Sequence, residues 1–226
     1  MAPILCYVTD RKSLPAPETA SLPGAIRRAA AAGVDWIQIR EKDLSGRALT
    51  ALAREAVASA RGSATRILIN GRLDVALAAR AGGLHLGSDA LPLAEVAAWC
   101  AQNVPGFVGA ASGAASLASP FLLGASCHSL AKAQAAERDA AHYIFFGPIF
   151  STPSKVQFGA PQGLARLEEI CRAVRVPVLA IGGITLGNAR ACLRAGAAGI
   201  AAIRLFQESA DLHKALSELR RASSSQ

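Results

Sequence analysis

Short apolar runs recur along the chain, and each is separated from the next by a longer stretch. Several of these runs are apolar throughout, as strands are when helices cover both faces of their sheet. The pattern therefore predicts eight strands, at Ile4–Val8, Trp36–Arg40, Arg66–Asn70, Gly83–Leu86, Phe121–Ala125, Tyr143–Phe146, Val178–Ile181 and Gly199–Ala202.

The longer stretches between the strands predict helices, among them Arg47–Arg61, Arg72–Ala81, Leu93–Gln102, Leu130–Ala140, Leu164–Val174, Leu186–Ala195 and Asp211–Arg221. Strands that alternate with helices pair in parallel through crossover connections. Eight such units in 226 residues predict an α/β fold, a single (β/α)8 TIM barrel over residues 1–222 with a disordered tail at residues 223–226. A doubly wound open sheet is the alternative architecture.

One junction between helix and strand recurs three times. A glycine follows the end of a predicted helix and precedes the next strand at Gly33, Gly82 and Gly196. Glycine adopts the left-handed conformation that ends many helices at little cost. The repeat indicates a repeated unit of strand and helix, and so supports the barrel.

The composition is that of a globular protein with a large core, because 52% of the residues are hydrophobic and only 5% are aromatic. The net charge of +8 is dispersed, which favours attraction of phosphorylated metabolites over a nucleic-acid surface. The five cysteines form no C-x-x-C pair, and no apolar run reaches the length of a membrane span. We therefore predict a reduced, cytoplasmic protein without nucleic-acid or membrane partners. The stretch Val108–Pro120 predicts a flexible loop.

Candidate chemistry is sought at the C-terminal ends of the strands, where the active sites of such barrels lie. Gln38 and Arg40 alternate on the second predicted strand, so they share one face, and Lys42 follows them. If that face points into the barrel, an amide and a cation meet any bound anion. The alternative is that Arg40 pairs with a neighbouring carboxylate and only closes the barrel.

Two segments predict contacts with phosphate. Gly182 and Gly183 follow the seventh strand and precede a helix, so that backbone N–H groups are exposed as they are in anion sites. Barrels commonly bind phosphate at this position. After the sixth strand, the hydroxyls of Thr152 and Ser154 and the cation of Lys155 offer further donors for a phosphate or a diphosphate. The alternatives for this second segment are a surface loop or a mobile lid.

His128, just after the fifth predicted strand, is the candidate for proton transfer, because histidine exchanges a proton near neutral pH. The alternative is a ring that caps the next helix. The neighbouring Cys127 points the other way by alternation and is interpreted as a small core residue. His85, between two leucines, is interpreted as structural.

Five motifs follow one another in order: Gln38-Ile39-Arg40-Glu41-Lys42-Asp43, Gly124-x-Ser126-x-His128-Ser129, Gly147-Pro148-Ile149-Phe150-x-Thr152-x-Ser154-Lys155, Ala160-Pro161-Gln162-Gly163-Leu164 and Ala180-Ile181-Gly182-Gly183-Ile184. Together they resemble the motifs of thiamine phosphate synthases and their TenI relatives. The likeness runs from about Tyr7 to Phe206, nearly the whole chain. It implies a barrel enzyme of thiamine biosynthesis.

The resemblance offers two activities, and the metal ligands separate them. The synthase joins hydroxymethylpyrimidine diphosphate to a thiazole phosphate with Mg²⁺, which is held by an acidic residue after the third strand and another after the fourth. Gly71 and Ala90 occupy these positions here, and only the adjacent Asp89, or Asp43, is available as a substitute. Because magnesium prefers oxygen ligands, the loss of both carboxylates disfavours the synthase.

The TenI branch, which the form Asn70-Gly71-Arg72 resembles, includes a thiazole tautomerase that needs no cofactor. That enzyme aromatises a carboxythiazole phosphate by acid–base catalysis, and its histidine matches His128. This is the leading hypothesis, although the set formed by Lys42 and the segment after strand six is typical of a synthase. The alternatives are the Mg²⁺-dependent synthase and a thiazole-phosphate-binding protein without catalysis.

The resemblance assigns roles to residues as follows. Substrate contacts are predicted from Gln38, Arg40, Lys42, Asn70, Ser126, Thr152, Ser154 and Lys155, and phosphate contacts from Gly182, Gly183, Ile203 and Arg204. Arg204 stands where the family usually has a small hydroxyl residue, so it either contacts the phosphate or blocks its pocket. The expected partners are a phosphorylated thiazole and, for a synthase, a pyrimidine diphosphate. A small homo-oligomer is compatible with the family.

Overall fold

The computed structural model describes residues 2–14, 21–109, 120–151 and 160–221. Its strands are β1 (Ile4–Val8), β2 (Trp36–Ile39), β3 (Arg66–Asn70), β4 (Gly83–Leu86), β5 (Leu122–Cys127), β6 (Tyr143–Phe146), β7 (Val178–Ile181) and β8 (Gly199–Ala202). Its helices are α1 (Leu22–Ala32), α2 (Gly46–Ser59), α3 (Leu73–Ala78), α4 (Leu93–Asn103), α5 (Leu130–Arg138), α6 (Gly163–Ala173), α7 (Leu186–Arg194), α8 (Arg204–Gln207) and α9 (Leu212–Arg221), and a 3₁₀ helix spans Arg11–Ser13.

The eight strands form a closed parallel barrel in sequence order, and β1 pairs with β8. This closure confirms the predicted fold and excludes the open sheet. The predicted strand bounds are correct except at two strands: β2 ends at Ile39 instead of Arg40, and β5 spans Leu122–Cys127 instead of Phe121–Ala125. Helices α2, α3 and α5 each end two or three residues earlier than predicted, at Ser59, Ala78 and Arg138.

Two groups of buried side chains follow from the alternation along the strands. One group lies between the strands and the outer helices and includes Ile37, Leu84 and Cys127. The other fills the inside of the barrel and consists of Cys6, Val8, Trp36, Leu68, Leu122, Tyr143, Phe145, Leu179 and Ala201. The barrel is therefore packed at its centre, and any ligand must bind at its mouth.

The left-handed residue that ends a helix lies three positions before the next strand at four junctions: Gly33, Arg80, Ala140 and Gly196. The backbone N–H that follows each of them donates to a carbonyl five residues back, for example Val34 N to Ala29 O at 3.2 Å. The prediction for Gly82 was wrong, because Arg80 adopts the positive φ there. At all four junctions, three peptide units separate the residue with positive φ from the first residue of the strand. This spacing determines which residue adopts the left-handed conformation.

The longest described helix, α2, has 14 residues. No helix in the described ranges is long and apolar enough to cross a membrane. The predicted loop at Val108–Pro120 falls largely, and the predicted tail at residues 223–226 wholly, outside the described residues.

Candidate functional site

The predicted site residues gather at one end of the barrel, because the C-terminal ends of parallel strands meet there. Arg40, Asn70 and His128 each lie at or just beyond the end of their strand. Gly182 and Arg204 do so on the opposite side of the same rim. Thr152, Ser154 and Lys155 lie outside the described residues, so their predicted contacts stay predictions.

Gln38 and Asn70 are joined inside the mouth. The Gln38 amide donates from Nε2 to Asn70 Oδ1 at 2.9 Å, and the Gln38 side chain is 1% exposed. Its Oε1 is buried without a hydrogen-bond partner in the described part of the chain. An unpaired buried acceptor costs about 1–3 kcal/mol, so this atom is suited to an N–H or O–H donor on a ligand.

His85 links the barrel interior to the mouth. Its Nδ1 lies 3.1 Å from the Tyr143 hydroxyl oxygen, and its Nε2 lies 2.9 Å from Ser126 Oγ. Burial lowers the pKa of His85 to about 3, and the positive charge of Arg40 adds to the effect. Burial likewise raises the pKa of Tyr143 well above its ordinary value. Both groups are therefore neutral at physiological pH, and Ser126 is only partly buried beside them.

His128 is exposed at the end of β5, two residues after Ser126. Its Nδ1 lies 2.5 Å from the carbonyl oxygen of Gly147, at the end of β6. The alternative of a helix-capping ring was wrong, because the neighbouring Ser129 caps α5 by accepting from Lys132 N. Cys127 is buried, and burial raises the pKa of its thiol to about 11, which confirms its interpretation as a core residue.

The two glycines after β7 lie against the segment that follows β6. Gly182 and Gly183 have φ angles of 96° and 68°. A Cβ on Gly182 would come within 2.6 Å of Pro148, and one on Gly183 within 2.7 Å of the Ser151 carbonyl oxygen. Phe150 N donates to Gly182 O at 3.0 Å. Only glycine allows this close approach of the two segments, which brings the predicted phosphate site beside the β6 segment.

The β8 end is tied to the β1 end by one buried amide. Arg204 is exposed as the first residue of α8, and Ile203 precedes it. The Gln207 Oε1 atom accepts from Tyr7 Oη at 2.9 Å and from Asp10 N at 3.0 Å. Gln207 Nε2 donates to Asp10 O at 3.1 Å and to Ser13 Oγ at 3.2 Å. These contacts of Gln207 hold α8, and with it the backbone of Arg204, at the rim, and the predicted role of Arg204 toward phosphate stays a prediction.

The β1 and β2 ends are joined by an ion-pair cluster. The buried carboxylate of Glu41 accepts from Thr9 Oγ1 at 2.7 Å and from Arg11 Nη1 at 3.1 Å. Asp43 pairs with Arg11 at 2.6 Å and with Lys12 at 2.8 Å, and these cations hold the pKa of its carboxyl well below the ordinary value. Asp43 is therefore already neutralised and poorly placed to recruit a metal.

The guanidinium of Arg40 forms no ion pair within the described ranges, whereas its backbone N–H donates to Thr9 Oγ1 at 3.0 Å. The alternative in which Arg40 pairs with a neighbouring carboxylate is thus unsupported, since Arg11 occupies Glu41 instead. Lys42 is exposed at the same rim. Two cations remain available there to meet an anion.

The residues at the family's metal positions do not fit magnesium. Gly71 is exposed with a φ of 69° and offers no side-chain ligand, and Ala90 is apolar. Asp89 is exposed, and no group of three or more His, Cys, Asp or Glu side chains suited to a metal occurs among the described residues. Mg²⁺ needs several oxygen ligands, so no step of the chemistry is assigned to it here.

Sequence reasoning missed three residues that organise the site. The sequence alone predicts no individual role for Tyr143, which begins an apolar strand, or for Glu41 and Gln207. The partners of Gln207 lie about 200 positions away, in β1 and its loop, so no local pattern could indicate them.

Comparisons with known proteins identify the family of the chain. The family described as "Thiamine monophosphate synthase" matches residues 5–109 and 108–206. The chain is 40% identical over 200 residues to the thiamine-phosphate synthase of Roseiflexus castenholzii, which covers 88% of this chain and 79% of that protein. It is 36% identical over 206 residues to the putative thiamine-phosphate synthase 2 of Aquifex aeolicus, and this match covers 91% of this chain and 98% of that protein.

A solved structure, thiamine phosphate pyrophosphorylase from Pyrococcus furiosus, superposes with a TM-score of 0.78 at 29% identity and covers 98% of this chain and 96% of that one. The fold and the polar strand ends define the class, a (β/α)8 barrel enzyme with its candidate site at the mouth of the barrel. The chain belongs to the thiamine monophosphate synthase family, an enzyme family of thiamine biosynthesis.

Proposed function

We propose that the chain is a thiazole tautomerase that moves a proton on a carboxythiazole phosphate, with His128 as general acid and base. The observation that supports this most is the setting of His128. Its ring is exposed at the mouth, and its Nδ1 atom is within hydrogen-bond distance of the Gly147 carbonyl oxygen. A carbonyl oxygen can only accept a hydrogen bond. In the neutral ring the proton is therefore on Nδ1, and Nε2 presents a lone pair to a ligand.

The surrounding residues take complementary roles in this proposal. Arg40 and Lys42 face the carboxylate of the substrate, and the backbone around Gly182, Gly183 and Ile203 holds its phosphate. His128 Nε2 removes the proton from the ring carbon and returns a proton at the second position, so that the thiazole becomes aromatic with no net change in atoms or charge. A positioned acid–base residue contributes about 10²–10⁴-fold to such a transfer.

The second candidate is the synthase, and the names of the relatives favour it. The curated relatives from Roseiflexus castenholzii, Chlorobium luteolum and Moorella thermoacetica are each named thiamine-phosphate synthase. The unpaired Oε1 of Gln38 is also free to accept from a donor on a second substrate. Against this stand Gly71 and Ala90 at the metal positions, which do not fit the Mg²⁺ that a synthase requires.

One pair of assays separates the two candidates. The purified protein is given the exocyclic-double-bond tautomer of carboxythiazole phosphate, with Mg²⁺ and again with excess EDTA, and aromatisation is followed by absorbance. We expect turnover in both conditions and a loss of at least about 100-fold in kcat for His128→Asn. His213→Asn, an exposed histidine on α9, is the matched control and should keep full activity.

The parallel assay supplies hydroxymethylpyrimidine diphosphate and hydroxyethylthiazole phosphate and measures thiamine phosphate. Robust product that depends on Mg²⁺ and survives His128→Asn would overturn the tautomerase in favour of the synthase. Binding of thiazole phosphate without turnover in either assay would leave a binding protein.

A further inference from the structure

The ring of His85 lies between the hydroxyl groups of Tyr143 and Ser126, and the direction of these two hydrogen bonds determines whether the Ser126 hydroxyl can donate to a ligand. Tyr143 Oη lies 3.1 Å from Nδ1 and Ser126 Oγ lies 2.9 Å from Nε2. His85 and Tyr143 are 1% and 0% exposed, so the hydrogen bonds between them are shielded from water. Since the imidazole is neutral, one of its nitrogens donates and the other accepts.

The phenol decides which nitrogen accepts. A buried Tyr O–H requires an acceptor, and His85 Nδ1 is the hydrogen-bond partner that the described residues give to the Tyr143 oxygen. Tyr143 therefore donates to Nδ1, and the ring proton is on Nε2. Nε2–H then donates to Ser126 Oγ, which leaves the hydroxyl proton of Ser126 free.

We propose that Tyr143 and His85 are positioning residues that orient Ser126 as a hydrogen-bond donor to the substrate. Ser126 lies on β5 and His128 directly follows this strand, two residues further on, so Ser126 is close in sequence to the proposed general base at the mouth. The positive charge of Arg40 acts on His85, the partner of Ser126. This charge favours an anionic oxygen of the substrate, from a carboxylate or a phosphate, as the acceptor of the Ser126 hydrogen bond. Only the identity of the ligand as a thiazole phosphate rests on the proposed function; the direction of the hydrogen bonds does not.

The proton arrangement can be measured on the ligand-free, full-length protein. Selective ¹⁵N labelling of histidine and a long-range ¹H–¹⁵N correlation spectrum distinguish the two neutral tautomers, and His85→Gln identifies the His85 signals. We expect the Nε2–H tautomer in the wild type and a mixture of tautomers in Tyr143→Phe, which removes the donor but keeps the ring. Tyr7→Phe, whose hydroxyl bonds Gln207 instead, is the matched control and should leave the His85 signals unchanged. An Nδ1–H tautomer or an imidazolium in the wild type would overturn the proposal.

The role toward the ligand is measured by calorimetric titration with carboxythiazole phosphate and with hydroxyethylthiazole phosphate, which lacks the carboxylate. Ser126→Ala should raise Kd about tenfold or more, as expected for loss of a hydrogen bond to a charged acceptor. Weakening of the first ligand alone identifies the carboxylate, and equal weakening of both identifies the phosphate. Ser217→Ala, exposed on α9, is the control.

Unchanged affinity of Ser126→Ala for both ligands would contradict its role as a donor to the substrate. Failure of the wild type to bind either thiazole would refute the proposed function and the donor role together, while the tautomer spectrum would still decide the direction of the hydrogen bonds. The two failures are therefore distinguishable.

Discussion

Lowering the pH from 7 to 5 is expected to destabilise the barrel from its centre, because His85 is buried as a neutral imidazole. In the folded protein burial lowers its pKa from 6.5 to about 3. Between these two values the unfolded chain carries a proton at this residue and the folded chain does not. The unfolded state thus binds more protons, and the free energy of unfolding falls as the pH falls.

The size of the effect follows from the pKa difference. Each pH unit between the two values costs about 1.4 kcal/mol, and the loss begins gradually near pH 6.5, so His85 alone accounts for about 2 kcal/mol between pH 7 and pH 5. Burial also lowers the pKa of His142, which adds a loss of the same sign. Asp43 and Asp74 have lowered pKa values too, but their ordinary value of 3.8 places their contribution below this window.

The assay is urea unfolding at pH 7, 6, 5.5 and 5, followed by circular dichroism. The dependence of the unfolding free energy on pH should be shallower by about one proton in His85→Gln than in the wild type, which makes the slope and not the absolute stability of the variant the quantity compared. His213→Asn on α9 should retain the wild-type slope. An identical slope in His85→Gln and the wild type would refute the assignment of the proton uptake to His85.

Three further predictions concern the packing and the rim. Gly124→Ala should lower the unfolding free energy by about 2 kcal/mol or more in urea titrations, because a methyl group there would overlap the Tyr143 ring; wild-type stability would contradict this packing. The double variant Gly71→Asp with Ala90→Asp restores a carboxylate at both metal positions of the family, and Asp tolerates the positive φ at position 71. It should bind Mg²⁺ at least about tenfold more tightly than the wild type in calorimetry. Unchanged affinity would show that these two positions do not converge on a metal. Gln207→Leu should lower the unfolding free energy by about 1–3 kcal/mol, because it leaves the hydrogen-bonding groups of Tyr7 and Asp10 without their partner. Because Gln207 holds the β8 rim and not the proposed general base, the variant should raise KM for the thiazole phosphate more than it lowers kcat. Equal losses in both constants would contradict a role confined to the β8 rim.

The sequence was sufficient for the barrel because its signals are local and repeated. The apolar centre of a run such as Arg66–Asn70 is too short for a typical helix, and the same pattern returns at each unit, which together favour buried strands. Alternation on the second strand and the predicted end of the fifth strand placed Gln38 and His128 near the C-terminal ends of the strands, where the structure has them, whereas Ser126 was indicated by the family resemblance.

Two kinds of feature could not be predicted from the sequence: contacts between residues far apart along the chain, and backbone conformations that are set by the spacing between a helix and the next strand. Arg80 and Ala140 adopt the left-handed conformation although neither residue type favours it, because the spacing to the next strand requires it. The pairing of Asp43 with Arg11 and Lys12 depends on two loops that meet only when β1 pairs with β2. No residue-type preference along the chain encodes those contacts.

The rim of the barrel is held together unevenly. Side-chain hydrogen bonds and ion pairs bind the ends of β8, β1 and β2 into one continuous arc through Gln207, Arg11 and Glu41. Gly71 and Asp89, at the ends of β3 and β4, are exposed and lie outside that arc. Substitutions at these two exposed positions can therefore accumulate with little effect on the rest of the rim. A barrel built this way can change the side chains at its metal positions while the hydrogen-bonded residues around them keep the shape of the mouth.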